Sequence, residues 1–195
     1  MNPPIFIAFE GLDGSGKTTA ARLTAEALGA HFMTTPTEAV RQHREEIIDG
    51  FDGSQEAAQL FYLATVFDAS SQIKKRLAEG QSIVLDRYFL STVVYAEHRG
   101  SVLELDGLQR HLLPADLTVF LTAPLEVRRT RVGIRGASAE DRETLSVEAD
   151  AALREGHLRR SRLDVVGEVL IIDSSLKTPE QIVAEILAAI TQGAG

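Results

Sequence analysis

Gly11-Leu12-Asp13-Gly14-Ser15-Gly16-Lys17-Thr18 follows the apolar run Ile5-Phe6-Ile7-Ala8-Phe9. After it comes a stretch, 17–28, with apolar or small residues at helical spacing, which stops at Gly29. The octapeptide fits G-x-x-x-x-G-K-[ST], and a strand before it and a helix after it are the context that pattern requires. Glycines let backbone N–H groups turn inward around a phosphate, and the helix N-terminus adds partial positive charge. Lys17 is placed to reach the β- and γ-phosphates of a nucleoside triphosphate, and the Thr18 hydroxyl to ligate Mg²⁺. Gly11, Asp13, Gly14, Ser15, Gly16, Lys17, Thr18 and Thr19 are thus the expected triphosphate-binding segment, with Mg²⁺ arriving alongside the nucleotide.

Outward from this segment, short apolar runs bounded by turn residues predict buried parallel strands over 5–9, 82–86, 117–121 and 169–173, with a weaker one over 31–34. Helical patterns lie between them: 17–28, a long one over 54–79 that is open to a break, 125–134, 145–163 and 179–190. Alternating strands and helices predict an α/β fold, a three-layer sandwich with a five-stranded parallel sheet and helices on both faces. The 195 residues fit one domain, 1–195. A polar stretch rich in Gly and Ala, about 133–143, reads as a mobile loop or short lid.

Composition narrows the function. There is no Cys, which excludes a disulfide scaffold and a thiolate site. The formal net charge is −8, unsuited to duplex nucleic acid but compatible with a local anion site. No apolar run is long enough to span a bilayer and the N-terminus lacks a signal-peptide pattern, so the expected location is cytoplasmic, with no membrane partner. The five histidines show no metal-ligand spacing.

Four further features narrow the choice. Asp86-Arg87-Tyr88 ends a predicted strand, where open sheets bind ligands. Asp86 can complete the Mg²⁺ shell and Arg87 can grip a phosphate. Arg128, Arg129, Arg131, Arg135 and Arg142 gather around the lid of an acidic chain; Arg131 and Arg135 share a helix face, and Arg135 and Arg142 flank the loop. Phe61 lies in the long middle helix, where stacking on a base and core packing are both open. Tyr95 lies two helical turns beyond Arg87, on the same side.

The segment from Phe6 through Thr19, with Asp86-Arg87-Tyr88, Ser91 and Tyr95, and the stretch Leu125-Glu126-Val127 with Arg131, Arg135-Gly136 and Asp141-Arg142, resembles the thymidylate kinase family over nearly the whole chain. The resemblance implies ATP-dependent phosphorylation of a nucleoside monophosphate, dTMP to dTDP, by a homodimer. It implies that Asp13 holds the sugar 3′-hydroxyl and Arg87 the acceptor phosphate. Phe61 would stack on the pyrimidine, with Thr92 near the base and Tyr95 crowding the 2′ position. Arg131 would lie near the donor adenine. Because the phosphate loop carries Gly14 and no Arg, the catalytic charge is expected from the lid, from Arg135 or Arg142.

The chain departs from the family pattern at Thr34-Thr35-Pro36, which keeps only the proline of an Arg-Glu-Pro stretch. It departs again at Thr65, where a base-reading Arg is usual, and at His157, where a Tyr is usual. Loss of a charged partner for a base carbonyl implies weaker or altered base preference. A nucleoside kinase, with Glu38 as the base that takes a 5′-hydroxyl proton, is the alternative. A nucleotide-dependent switch is a third reading, opposed by the lack of an Asn-Lys-x-Asp guanine motif.

Overall fold

The structure, a computed structural model, describes residues 3–136 and 143–193. Arg142 and most of the expected lid therefore lie outside the described residues. Five parallel strands, β1 (Phe6–Gly11), β2 (His31–Thr34), β3 (Ile83–Asp86), β4 (Leu117–Thr122) and β5 (Glu168–Asp173), form one sheet in the order β2-β3-β1-β4-β5. Helices α1 (Lys17–Leu28), α2 (Glu38–Arg41), α3 (Arg44–Asp49), α4 (Gln55–Ala78), α5 (Phe89–His98), α6 (Leu125–Arg135), α7 (Val147–Arg160) and α8 (Pro179–Gly193) connect them.

Strand alternation sorts the core into two layers. Phe6 and Ala8 of β1 join Ile83 and Leu85 of β3 against α4 and α5, through Val66, Ile73, Phe89 and Val93. Ile7 and Phe9 join Val84, Val119 and Leu121 against α1 and α8, through Ala20, Ala21, Ala25, Ile182 and Ile186. Burial of β1 on both faces is why its sequence is continuously apolar rather than alternating.

The predicted strands all form, the weak one at 31–34 included, but the one over 169–173 is not buried: β5 is an edge strand, and its Val169 and Ile171 are exposed. The middle helix is one unbroken element of 24 residues, started by Ser54, whose hydroxyl accepts from the Ala57 N–H at 3.2 Å. The helix expected over 145–163 is shorter. Ser146 caps its start at the Ala149 N–H, and a 3₁₀ turn at Asp164–Val166 follows its end. The short helices α2 and α3 had no periodicity long enough to announce them.

Candidate functional site

Register builds the site. Phe9 of β1 pairs with Asp86 of β3, so the loop after β1 and the Asp86-Arg87 turn leave the sheet side by side at its carboxyl edge. The loop's carbonyls are tied outward. Lys17 Nζ donates to the Leu12 carbonyl at 2.9 Å, Arg128 Nη1 to that of Asp13 at 3.1 Å, and Ser174 Oγ to that of Ser15 at 2.7 Å. Gly11 is required here, because a Cβ on it would stand 2.2 Å from the Leu121 carbonyl oxygen. Gly14, at φ +79°, sits with its missing Cβ 2.8 Å from the Arg128 carbonyl oxygen. A loop arginine at position 14 is therefore sterically opposed, which is the physical side of the expectation that cationic help comes from elsewhere.

Asp13 is the hub. Its carboxylate accepts from Arg87 Nη2, from the Tyr95 hydroxyl at 3.0 Å and from the Thr144 hydroxyl at 3.1 Å. Burial works against its charge, but the Arg87 guanidinium, then Lys17 and the two hydroxyl donors, outweigh it and hold the carboxyl well below the usual carboxylate range. A carboxylate has about four acceptor sites, so roughly one is left for a ligand hydroxyl. Arg87 itself takes φ 70°, a left-handed conformation that costs a non-glycine residue about 1–3 kcal/mol and here aims its guanidinium at Asp13 and at Ser91 Oγ, 3.3 Å away. That guanidinium also lies 5.1 Å from the Tyr95 ring centroid.

The buried Glu10, at the end of β1, fixes the helix that carries these groups. It accepts from the backbone N–H of Tyr88 at 3.0 Å and of Ser91 at 3.2 Å, and from the Ser91 hydroxyl. Helix α5 has no side-chain cap of its own, so the carboxylate from β1 serves as one. Burial pushes the Glu10 carboxyl up, against those bonds. Burial, then Arg87, brings the Lys17 ammonium down to about 8, against the pull of Asp13, Asp86 and Glu10.

The residues expected to hold Mg²⁺ meet. Thr18 Oγ1 donates to Asp86 Oδ2 at 2.5 Å, and Asp86 Oδ1 is buried without a hydrogen-bond partner among the described residues. One hydroxyl and one carboxylate beside a phosphate loop suit Mg²⁺, which keeps waters and substrate phosphates as its other ligands. On the far side of the loop, Arg131 reaches Ser174 Oγ at 2.9 Å and the Ser15 carbonyl at 3.4 Å. That places it on the β5 side of the loop.

A cavity of ≈ 770 Å³ opens in front of Asp13 and Arg87. Thr35 and Pro36 border it from the end of β2, Ser91, Thr92 and Tyr95 from α5, and Arg135 from the end of α6. Two expected contributors do not border it. Phe61 packs edge-on against Phe51 and Tyr62, with centroids 6.3 and 5.3 Å away. The buried Thr65 turns its hydroxyl back to the Tyr62 carbonyl at 2.7 Å. Tyr62 and Gln59 face the cavity instead. One residue of rotation on α4 decides between neighbouring aromatics, and helical periodicity alone cannot choose.

Glu38 is a correction of another kind. It is exposed and borders a separate, shallow pocket with Arg22 and Gln72 on the outer side of β2, away from Asp13 and Arg87. It is not placed to serve as a base at the main cavity. Sequence reading also missed the depth of Arg128. Its side chain is fully buried, paired with Asp150 and bonded to the Asp13 backbone. Its place among solvated arginines on a polar helix gave no sign of this.

An open parallel sheet with a phosphate loop after β1 and an acid–arginine pair after β3 defines a phosphate-loop nucleotide-binding protein of the α/β class. The family model for thymidylate kinase matches residues 9–186, and the chain belongs to that family. A protein named "Probable thymidylate kinase" from Pyrococcus horikoshii is 32% identical over 202 residues, covering 95% of each chain. Another of that name, from Methanococcus maripaludis, is 30% identical over 95% of this chain and 94% of its own. The thymidylate kinase structure from Candida albicans superposes with a TM-score of 0.76 at 24% identity, covering 98% of this chain and 93% of that one. The Ehrlichia chaffeensis structure does so with 0.72 at 21%, covering 97% and 100%.

Proposed function

We propose that the protein transfers the γ-phosphoryl group of ATP to the phosphate of dTMP, giving dTDP and ADP. The observation that carries this reading is the Asp13–Arg87 pair, held by Tyr95 and Thr144 on the floor of a cavity that begins where the phosphate loop ends. A donor phosphate chain in the loop and an acceptor phosphate at Arg87 then approach in line. Catalysis is positioning plus charge stabilisation. No general base is needed, since the acceptor phosphate is already anionic at neutral pH, and the placement of Glu38 fits that economy.

Lys17 leaves the Leu12 carbonyl to neutralise the β- and γ-phosphates. Thr18 and Asp86 would hold Mg²⁺, which when bound supplies further charge to the transferring group. Asp13 offers its remaining acceptor site to the sugar 3′-hydroxyl, and Ser91, Thr92 and Tyr95 line the acceptor beside it. Arg131 borders the donor, and Arg135, with Arg142 from the lid at about 133–143, brings positive charge to the transition state. A single domain over 1–195, a homodimer and a cytoplasmic location belong to the same proposal on the resemblance alone; sedimentation and fractionation test the last two. Among the described residues no helix is long and apolar enough to cross a membrane.

The test is ADP release from Mg·ATP with dTMP and thymidine side by side. Turnover with dTMP and none with thymidine is expected. Arg87→Ala should lower turnover by about a hundredfold or more while ATP binding stays within a few fold. Equal loss of both, or turnover with thymidine only, refutes the assignment.

A further inference from the structure

Beyond the groups used above, a buried cation stands behind the phosphate loop. Arg128 lies in α6, and its side chain is fully buried. Its Nη1 donates to the Asp13 carbonyl at 3.1 Å and its Nη2 to Asp150. A trans peptide holds its carbonyl and its N–H on opposite sides. The carbonyl of the Asp13–Gly14 peptide is turned to Arg128, so the Gly14 N–H points away from α6, toward the face that the loop offers a phosphate. Among the described residues that N–H has no hydrogen-bond partner. Helix α6 comes so close here that a Cβ on Gly14 would stand 2.8 Å from the Arg128 carbonyl oxygen and 3.0 Å from its Cβ. The approach that bars a side chain from position 14 thus lets Arg128 reach the same peptide from behind.

Charge distinguishes this contact from a plain support. Asp150 is the one carboxylate paired with Arg128 among the described residues, and it is shared with Arg154 at 2.9 Å. Two guanidiniums on one carboxylate leave a positive charge beside the loop of a chain whose formal net charge is −8. A carbonyl bonded to a cation polarises its own peptide and strengthens the N–H as a donor. We propose that Arg128 is a positioning residue whose charge acts on the donor's phosphates through the Asp13–Gly14 peptide. This rests on the reading of the loop as the ATP site. It fixes a positive charge behind the loop, where a loop arginine cannot stand.

The experiment is calorimetry of Mg·ATP binding, with steady-state kinetics, on the wild type, Arg128→Gln, Arg128→Lys and Asp150→Asn. Arg128→Gln keeps a donor for the Asp13 carbonyl and loses the charge. It is expected to weaken Mg·ATP binding about tenfold and to lower kcat severalfold, with KM for dTMP within about threefold. Arg128→Lys should restore part of both. Asp150→Asn keeps an acceptor for Arg128 and removes the opposing charge, so Mg·ATP should bind as in the wild type or tighter. Arg128→Gln and Asp150→Asn should both unfold earlier than the wild type, so affinity and not stability separates charge from support. Unchanged Mg·ATP affinity in Arg128→Gln overturns the role. Equal weakening in Asp150→Asn and Arg128→Gln also overturns it, because Arg128 would then only hold the loop in shape. If Arg128→Gln does not fold, Asp150→Asn decides alone, and weakened Mg·ATP binding in it overturns the proposal. A wild type that binds Mg·ATP without phosphorylating dTMP refutes the kinase reading alone, since the affinity comparison still decides Arg128. One that binds no Mg·ATP overturns the reading of the loop and this inference with it.

Discussion

Replacing His157 by Phe should flatten the acid side of the stability curve. The imidazole is 2% exposed and lies 5.1 Å from Phe120 and 6.3 Å from Tyr95, centroid to centroid. Its Nδ1 is 2.7 Å from the Leu153 carbonyl, so the proton sits there, and Nε2 is buried with no partner among the described residues. Protonating Nε2 would leave an unpaired charge in the core. Burial, against the bond to Leu153, brings its pKa down to about 4 from 6.5. The unfolded chain then binds a proton that the folded chain refuses, so stability is full above about 6.5 and falls as pH drops from there toward about 4. Depth of burial means no discount for solvent screening. At 1.36 kcal/mol per unit, the loss between pH 7 and pH 5 is about 2 kcal/mol. Urea unfolding of wild type and His157→Phe at both pH values measures it. Glu10, whose carboxyl is raised, works in the opposite direction, but it does so in both proteins and cancels in the difference. Asp13 titrates below this window. Equal pH dependence in the two proteins, or an NMR titration of His157 centred near its ordinary value, refutes the reasoning.

Two other perturbations read the phosphate loop. The Lys17 ammonium titrates at about 8 in the ligand-free protein, chiefly through burial, and only its charged form neutralises phosphate. kcat/KM for ATP should therefore fall above about pH 8, approaching tenfold per unit, and a flat profile to about pH 9.5 contradicts it. Arg128→Met removes a fully buried guanidinium that pairs with Asp150 and supports the Asp13 backbone. Asp150 keeps Arg154 at 2.9 Å, so the cost should sit near the low end for a broken buried pair, about 3 kcal/mol. Thermal unfolding should show a midpoint lowered by on the order of 10 °C, with a raised KM for ATP; an unchanged midpoint rules out the structural role.

The fold was legible because its signals are local. Strands buried on both faces read as continuous apolar runs, and glycines end the helices they follow, as Gly29 does for α1. The phosphate loop was legible because the required geometry dictates residue type at fixed spacing. The missed elements, α2 and α3 with four and six residues, are shorter than two helical turns, so no period can be counted in them. Neither contains a buried residue, so neither leaves an apolar stripe in the sequence, yet α3 carries Arg44 and Ile48 to the cavity rim.

The site was legible only to the level of which strand ends meet. Side-chain choice beyond that depends on rotation and depth, which pattern does not encode. Phe61 and Tyr62 are adjacent aromatics, and only the angle at which α4 meets the sheet decides that Tyr62 faces the cavity. Arg128 and Arg129 are adjacent arginines, yet the first is fully buried under the phosphate loop while the second is exposed on Glu126. Glu10 read as one more strand residue, yet it caps α5 from the end of β1 and so sets where Ser91, Thr92, Tyr95 and Arg99 stand. The charges that matter most here are those whose partners lie far away in sequence: Asp13 with Arg87, Arg128 with Asp150, Glu10 with Ser91. Register of β1 against β3 brings the first and third pairs together, whereas the second is made where α6 meets α7. The sequence therefore reveals the chemistry at Lys17 and Thr18, where loop and helix are contiguous, and hides it at Arg128, whose meaning depends on Asp150 and on the Asp13 carbonyl that it supports.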